Sequence, residues 1–579
     1  MNTKKVLVSA VMLLSLLVFN LQPASASAAT TVDAAVKDAV SASKKLYWSW
    51  SVEGYGDGKV QPYAEYNLTK QKYAIAVKSV AALPKSKQAS YTVSLDSVDL
   101  QIYRAMVYID AISSGKKIEA KRLALEKMIQ ADTLNDDTEK KYHELTYEIK
   151  KQAAMLDKVY GKTTRNKIRA YYKQQAEKVR DSLLYPITVK MKLDQMEDEI
   201  AASKNVDTMA AAFAQVVLYL DKVPQAAYKA QLQTREEQVK AKIPANLKVG
   251  KLKEALAMES EFKELDQLVS PGKSDAKVPV LYDTLTNQFK LFSDKQAELI
   301  SKRDAIMSDL DVPVKVIKEK LTALSKAKGI PPEAAKAIAL KETEDFTQFQ
   351  SNGEVYSSPD NGYGIMQVTR NAVQENQYNW DEVKYDLDKN IEIGLDILLE
   401  KWNSTGSVLP TINSHDKRVL EDWYFAIMAY NGLGERNNPQ INDKSYQFEV
   451  YQNIKKYAIA NELIEMGELN TNDIKIIVNP GTGIMSFTEK MSYGTSKELR
   501  TSQLLNADDK VTLTNVSKFR KTPNTSDDPN PEKLAAGTKV SIVEAGIEDG
   551  NKFNLFNWYK VKVDGTNRVG YIASNNFYQ

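Results

Sequence analysis

Between residues 59 and 249 the chain has only two glycines, Gly115 and Gly161, and the segment is rich in Ala, Lys, Glu and Leu. These are strong helix formers. Leu145, Ile149, Gln152, Leu156 and Val159 recur at the 4-3-4-3 spacing of a helix seam. The segment is therefore expected to form long helices packed as antiparallel bundles. Pro84, Pro186, Pro224 and Pro244 mark the breaks, because proline lacks an N–H and its ring clashes with the preceding turn.

The pattern changes further along. "SPGKSD" at 270–275 reads as a boundary, followed by a helical connector over 271–311. Residues 312–465 remain helical but carry glycine loops and 466–506 are mixed in pattern, with expected bounds of 312–480 for a domain and 481–506 for a linker. From 507 the apolar period becomes two, as in "GTKVSIVEA" and "NWYKVKVDG", with Asp564-Gly565 as a tight-turn signal. The expected fold is multidomain and mainly α, with a small β domain at the end.

Composition removes several chemistries. The chain has no cysteine, which excludes thiolate nucleophiles, thiolate metal sites and disulfides. It has two histidines, His143 and His415, far apart in sequence. Zinc hydrolysis needs two or three histidine ligands and a Ser-His-Asp triad a well-placed one, so neither is expected. No metal and no cofactor are expected, and carboxylate chemistry remains. The net charge of +3 points to no nucleic-acid partner. "MNTKKVLVSAVMLLSLLVFNLQPASASAAT" has two lysines, an apolar run and small residues, and reads as a signal peptide over 1–29. No later run reaches the roughly 18 apolar residues of a spanning helix, so no membrane contact is expected after cleavage.

"ALKETEDFTQFQ", residues 339–350, places Glu342, Glu344 and Asp345 at the end of a helix that starts at Pro331-Pro332. Ala335, Ile338 and Glu342 are spaced three and four apart and share a face, which the first two make apolar. Glu344 lies roughly 200° around the helix from Glu342. Glu342 is thus the carboxylate expected to lose water, and desolvation raises a carboxyl pKa toward the range of a general acid.

Two more stretches follow in order, "SPDNGYGIMQVT" at 358–369 and "AIMAYNGLGE" at 426–435. Together with Lys341-Glu342, and with "NIEIGLDILLEKW" at 390–402 between them, they resemble the motifs of the lytic transglycosylase family. That family has a goose-lysozyme-like, α-rich fold and cleaves peptidoglycan glycan strands. The resemblance implies Glu342 as catalytic acid and base. It implies that Ser358, Gly364, Met366 and Gln367 line the glycan groove, together with Tyr430, Asn431 and Tyr451. Two departures stand out. Thr343 replaces the usual serine, and "ETEDF" has one residue more than the family spacing. Aligned backwards from Phe346, the catalytic position falls on Thr343, and aligned forwards from the helix it falls on Glu342. The helix-face argument selects Glu342. The chemistry implied is substrate-assisted, with the sugar's N-acetyl group supporting C1 and the 6-hydroxyl closing a 1,6-anhydro ring. Asp360, in a Pro-Asp-Asn-Gly turn, is the candidate second carboxylate for plain hydrolysis.

In residues 158–192 ten basic residues face only Glu177 and Asp181, a local net of +8, with Tyr160, Tyr171, Tyr172 and Tyr185 interleaved. "YEIKKQAAMLDKVYGKTTRNKIR", "RDSLLYPITVKMK" and "YAEYNLTKQKYAIAV" resemble the N-terminal wall-binding region of SbsC-type surface-layer proteins of bacilli. This implies three-helix bundles over 30–270 that bind secondary cell wall polymer. Arg165, Lys167, Arg169, Tyr171 and Tyr172 are the candidate contacts. "NVSKFRKTPNT" and "NWYKVKV…GYIASNNF" resemble bacterial SH3-like barrels, which implies a wall-binding barrel at 507–579. The expectation is a secreted, wall-anchored lytic transglycosylase of a Gram-positive bacterium, acting on peptidoglycan. The alternatives are a hydrolytic muramidase on the same fold and a non-catalytic surface-layer protein.

Overall fold

The computed structural model describes residues 32–370 and 377–578, so the expected signal peptide lies outside the described residues. The chain forms two compact units. The first holds residues up to 194 together with 219–241, and the second holds 195–218 and 242 onward. Among the described residues no helix is long and apolar enough to cross a membrane.

The first unit opens with α1 (Val32–Trp50), α2 (Tyr63–Ala81) and α3 (Lys85–Gln130), which pack on one another. With 46 residues α3 is about 69 Å long at 1.5 Å per residue. Next, α4 (Asp136–Asp157) runs along it, started by a capping box between Asn135 and Thr138. The seam is where it was expected, with Leu145, Ile149, Gln152 and Leu156 buried on α4 and Val159 just beyond it. A third helical stretch comprises α5 (Lys162–Ile168), a wider π-turn segment at Arg169–Gln174, and α6 (Gln175–Ser182). Both glycines of this stretch have a packing reason. The ring of Tyr172 lies against α3 at Gly115, where a Cβ would collide with it. Gly161 enters α5 with φ +83°, a left-handed value open to glycine. Of the prolines, Pro84 caps α3, while Pro186 falls in the first turn of α7 (Leu184–Ala202), where a missing N–H costs little.

Further helices are α8 (Val206–Tyr219), α9 (Ala226–Lys242), α10 (Gly250–Leu268), α11 (Val278–Phe289) and α12 (Gln296–Met307). In the second unit the expected boundary at 270–275 is not a joint. The Gly272 N–H donates to the Leu310 carbonyl at 3.1 Å, and its carbonyl accepts from Leu387 N–H at 2.8 Å. Ser274 N–H donates to the Tyr385 carbonyl at 2.9 Å. Gly272 has φ +74° and sits against Leu387, so a side chain there would be both strained and crowded.

The second unit is organised around α13 (Val314–Lys328), α14 (Pro332–Thr343), α15 (Trp380–Tyr385), α16 (Leu387–Asn403), α17 (Tyr424–Tyr430) and α18 (Tyr446–Asn453). The expected linker at 481–506 is strapped to this body. Ser492–Tyr493 pairs in parallel with Thr411–Ile412, and Leu499 N–H donates to Glu421 at 2.9 Å. The C-terminal strands form an antiparallel sheet in the spatial order 569–573, 558–563, 539–547, 510–512. The Asp564-Gly565 turn joins the first two of these, with Gly565 at φ +72°. A ribbon of 517–519 with 532–534 joins the outer strand 569–573 through Arg520 and Tyr571, whose N–H groups donate to each other's carbonyls at 2.9 and 2.8 Å. The sheet stays open, so the closed barrel expected from sequence is not formed.

This β region is not a tethered appendage. Leu555 and Tyr578 belong to the same apolar cluster as Ala334 and Ile338 of α14. Beneath them lies a buried ionic group. Lys336 Nζ donates to Glu548 at 2.6 Å and to Gln503 at 2.8 Å. Lys318 of α13 lies 3.5 Å from Glu548 and donates to Asp549 at 3.1 Å. Glu333 accepts from Thr501, Ser502 N–H and Tyr578. The side chains of Lys318, Lys336 and Glu548 are fully buried. Burial pushes the Lys336 ammonium below its usual pKa and the Glu333 carboxyl above its own. Removing one member of such a group leaves a buried charge without its partner. Lys336→Met is expected to lower unfolding stability by about 3 kcal/mol. Adding Glu548→Gln should recover part of that loss, as read from urea melts.

Candidate active site

The candidate site sits at the C-terminal end of α14. Pro331 and Pro332 start this helix, and every residue from Pro332 to Leu340 is buried. Only its last turn emerges. The helix stops because Glu344 adopts a left-handed conformation at φ +59°, its N–H donating to the Leu340 carbonyl at 2.9 Å. The Thr343 hydroxyl donates to Ala339 and accepts from Thr347 N–H. Phe346 is also left-handed, at φ +56°, and is buried. Two left-handed residues thus absorb the extra position in "ETEDF", and the phenylalanine still reaches the core. The three carboxylates are separated. Glu342 is half-buried, Glu344 is exposed, and Asp345 is ion-paired with Lys552.

Tyr446, the first residue of α18, donates its phenol to Glu342 Oε1 at 2.5 Å. Burial raises the Glu342 pKa from the ordinary 4.5 to about 7. The Tyr446 hydrogen bond and the charges of Lys341 and Arg436 act against that rise, while Asp360 adds to it. Tyr446 itself is held well above its usual pKa, first by burial and then by Glu342. Lys341 is paired with Glu449 at 2.5 Å.

A cleft of about 420 Å³ opens over Glu342, and Ser358, Asp360, Gln367, Tyr430, Asn431 and Tyr446 line it. Ser358 and Asp360 form one turn, with the serine hydroxyl donating to the aspartate at 2.5 Å. Asp360 is therefore both a turn residue and a second carboxylate in the cleft. Tyr430 spans to the neighbouring loop, its phenol donating to the Met366 carbonyl at 2.7 Å. Gly364 and Met366 do not face the cleft. Met366 is fully buried, and Gly364 has φ +70° with Gln348 and Asn390 so close that a Cβ would meet both at 2.5 Å. Those two amides hold the loop, through Ile365 N–H to Gln348 and Met366 N–H to Asn390, each at 2.9 Å. Tyr451 is not in this cleft either. Its phenol donates to the Leu420 carbonyl at 2.7 Å, and its ring lines a neighbouring cleft.

Tyr446 was not among the sequence candidates, yet a signal existed. Tyr446, Val450 and Ile454 recur every four residues and form one buried stripe, of which Tyr446 and Val450 lie on α18, the helix that packs against α14. Tyr451 lies roughly 140° away from Tyr446 around the helix. Gln348 and Asn437 carried no such signal, because a buried amide outside an α-helix or strand has no periodicity, and Asn390, although buried on α16, is a polar residue that an apolar stripe does not select.

Residues 320–453 match the family described as the transglycosylase SLT domain. The chain carries a lytic transglycosylase SLT domain. Glu342, Tyr446 and the rest of the cleft lining fall inside the matched segment, and the strap at 466–500 falls outside it. Residues 32–177 match the family described as the SbsC C-terminal domain. Over 219 residues the chain is 36% identical to a protein named "S-layer protein" from Geobacillus stearothermophilus, covering 35% of this chain and 18% of that protein's length. It is also similar to the crystal structure of the N-terminal part of the bacterial S-layer protein SbsC. There the identity is 33%, coverage is 37% of this chain and 55% of that one, and the TM-score is 0.33.

In the SbsC-like region the predicted contacts are scattered. Tyr172 is buried. Arg169 is paired with Asp157 at 2.6 Å, and Arg165 donates to the Val159 carbonyl. Lys167 is exposed, and Tyr171 lies under the Lys59 ammonium at 4.0 Å. Exposed aromatic residues here include Trp48, Tyr55, Tyr63 and Tyr160, the last with the Arg104 guanidinium 3.3 Å above its ring. Tyr55 N–H donates to the Trp48 carbonyl, and Trp50 bridges toward Tyr160.

The SLT domain should reveal the Glu342 titration through its stability. The folded state holds this proton more tightly than the unfolded state, so its contribution is complete below pH 4.5 and is lost as pH rises toward 7. Relative to the natural chain, Glu342→Gln should gain stability between pH 4.5 and 7 and level off above. Tyr446→Phe removes a bond to the ionised form, so it should push the upper end of that window higher. Urea midpoints measured across pH 4 to 9 check both.

Proposed function

We propose that the protein is a peptidoglycan lytic transglycosylase that cleaves the bond from muramyl to glucosaminyl sugar, with Glu342 as its acid and base. The observation that carries this is a half-buried carboxyl of pKa about 7, held by Tyr446 at 2.5 Å in an open cleft of the SLT domain. A carboxyl poised near the working pH serves both directions of proton transfer. Protonated Glu342 gives its proton to the glycosidic oxygen as the bond to C1 breaks. The substrate's own N-acetyl oxygen supports the electron-poor C1. Ionised Glu342, steadied by the Tyr446 phenol, then takes the 6-hydroxyl proton while that oxygen bonds to C1. One proton is given and one is recovered, no water is consumed, and a 1,6-anhydro end results.

A second reading is hydrolysis, in which Asp360 activates a water, and its place in the same cleft favours it. Mass spectrometry of digested walls decides between them. Anhydro ends are expected from the natural chain, and Asp360→Asn should retain most turnover. Reducing ends, with loss of activity in Asp360→Asn, would select the hydrolase. Glu342→Gln should lower turnover by about a hundredfold or more while wall binding persists, and Glu344→Gln should act far more mildly.

The SbsC-like region is read as the anchor, binding secondary cell wall polymer at the surface of a Gram-positive cell. Its support is the matched family and the exposed aromatic side chains of Trp48, Tyr55 and Tyr160, the last beside Arg104. Aromatic faces suit sugar rings, and cations suit an acidic glycan. Full-length chain carrying Trp48→Ala and Tyr55→Ala should cosediment less with walls that retain polymer, while Arg165→Ala should matter less. Equal sedimentation with polymer-stripped walls would remove the polymer from the account.

A further inference from the structure

A second cleft, of about 600 Å³, adjoins the one over Glu342, and Asn442 and Lys444 line both. One side is made by Tyr424, Phe448 and Tyr451, and the other by Met466, Leu469 and Thr495. The second side lies beyond the segment that matches the SLT family, which ends at 453. It is held in place deliberately. The buried Glu421 carboxylate accepts from Gly467 N–H at 2.6 Å and from Leu499 N–H at 2.9 Å. Gln440 adds a bond to the Ile474 carbonyl at 2.8 Å. A cleft built by clamping an added segment against the domain is a property of this chain.

We infer that this second cleft seats the stem peptide that branches from the muramyl sugar, so that the protein acts on peptide-bearing strands in preference to bare glycan. The inference rests on the peptidoglycan reading above. Three observations carry it. First, the clefts meet at Asn442 and Lys444, so a substituent leaving the sugar at the scissile bond can enter the second from the first. Second, the rim carries Lys444 and Lys455 beside Asp443 and Glu468. In a stem-bearing strand the muramyl lactyl carboxyl is taken up in the amide bond to the peptide, so the charges lie on the stem, which carries carboxylates and amines. Third, the wall offers peptide-like partners. Phe448 is 45% exposed, a large apolar face beside Met466 and Leu469. The Ser445 hydroxyl is buried in the same wall and has no hydrogen-bond partner in the protein. Such a group is normally satisfied, and a bound amide would satisfy it. The rings of Tyr424 and Tyr451 stack on each other at 6.0 Å, which leaves fewer free faces for sugars.

The test has two arms on the full chain. In the first, free stem tetrapeptide is titrated calorimetrically into the natural protein and into Phe448→Ala. Binding is expected, weakened about tenfold by the substitution. In the second, uncrosslinked strands with stems, and the same strands after amidase removes them, are offered to both proteins. The natural chain is expected to cleave stem-bearing strands about tenfold more efficiently through KM, and Phe448→Ala should bring the two within about twofold. Equal cleavage of both substrates by the natural protein, or a preference that Phe448→Ala leaves intact, overturns the subsite. Peptide binding that depends on Phe448 without cleavage of either strand keeps the subsite and overturns the transglycosylase reading instead.

Discussion

The site depends on a helix with no free side. Lys336 and Glu333 point into the interior of α14's surroundings rather than into solvent, and Glu548, Gln503, Thr501 and Tyr578 meet them there. A lysine and a glutamate can be buried this completely only when partners arrive from elsewhere in the chain. They arrive from residues 501–578. The C-terminal β region therefore closes over α14, and the last turn is left as the one part that reaches a cleft. Glu342 is desolvated because its helix is enclosed, and it remains titratable because the helix ends beside it.

Around that carboxylate the chain uses buried amides as struts. Gln348 and Asn390 hold the 362–367 loop, and Asn437 accepts from Tyr446 N–H and donates to Asn431 and Gly432. Each satisfies backbone groups that a loop leaves without helix or sheet partners. The result is a cleft whose walls are irregular in backbone yet held by side-chain hydrogen bonds. Glu421 does the same for the strap at 466–500, so the family-like body and the added segment share one rigid edge.

The first unit follows a simpler rule. Long helices bury an apolar seam, and the 51–62 loop folds back onto α3 through Gly58 and Gln61. Tyr172 shows how charge and ring counts mislead. It belongs to the basic, tyrosine-rich stretch, yet it fills the space over Gly115.

Much of this was legible in the sequence, where local rules apply. The scarcity of glycine called for long helices, the seam of α4 was read residue by residue, and the change to a period of two marked the C-terminal strands. Glu342 was selected from three carboxylates by helix spacing, although α14 proved buried on all sides, so its position at the helix end mattered more than its face. The motif order placed Ser358, Gln367, Tyr430 and Asn431 around one cleft. Tertiary contacts decided the rest. Tyr446 rather than Tyr451 meets Glu342, Gly364 and Met366 serve the core, and 270–275 and 481–506 are fastened rather than free. The β sheet stays open and covers α14. Each of these depends on groups far apart in sequence meeting in space, as Lys336 and Glu548 do. Periodicity reports which face of an element is apolar, but it carries no information about which distant partner will cover that face.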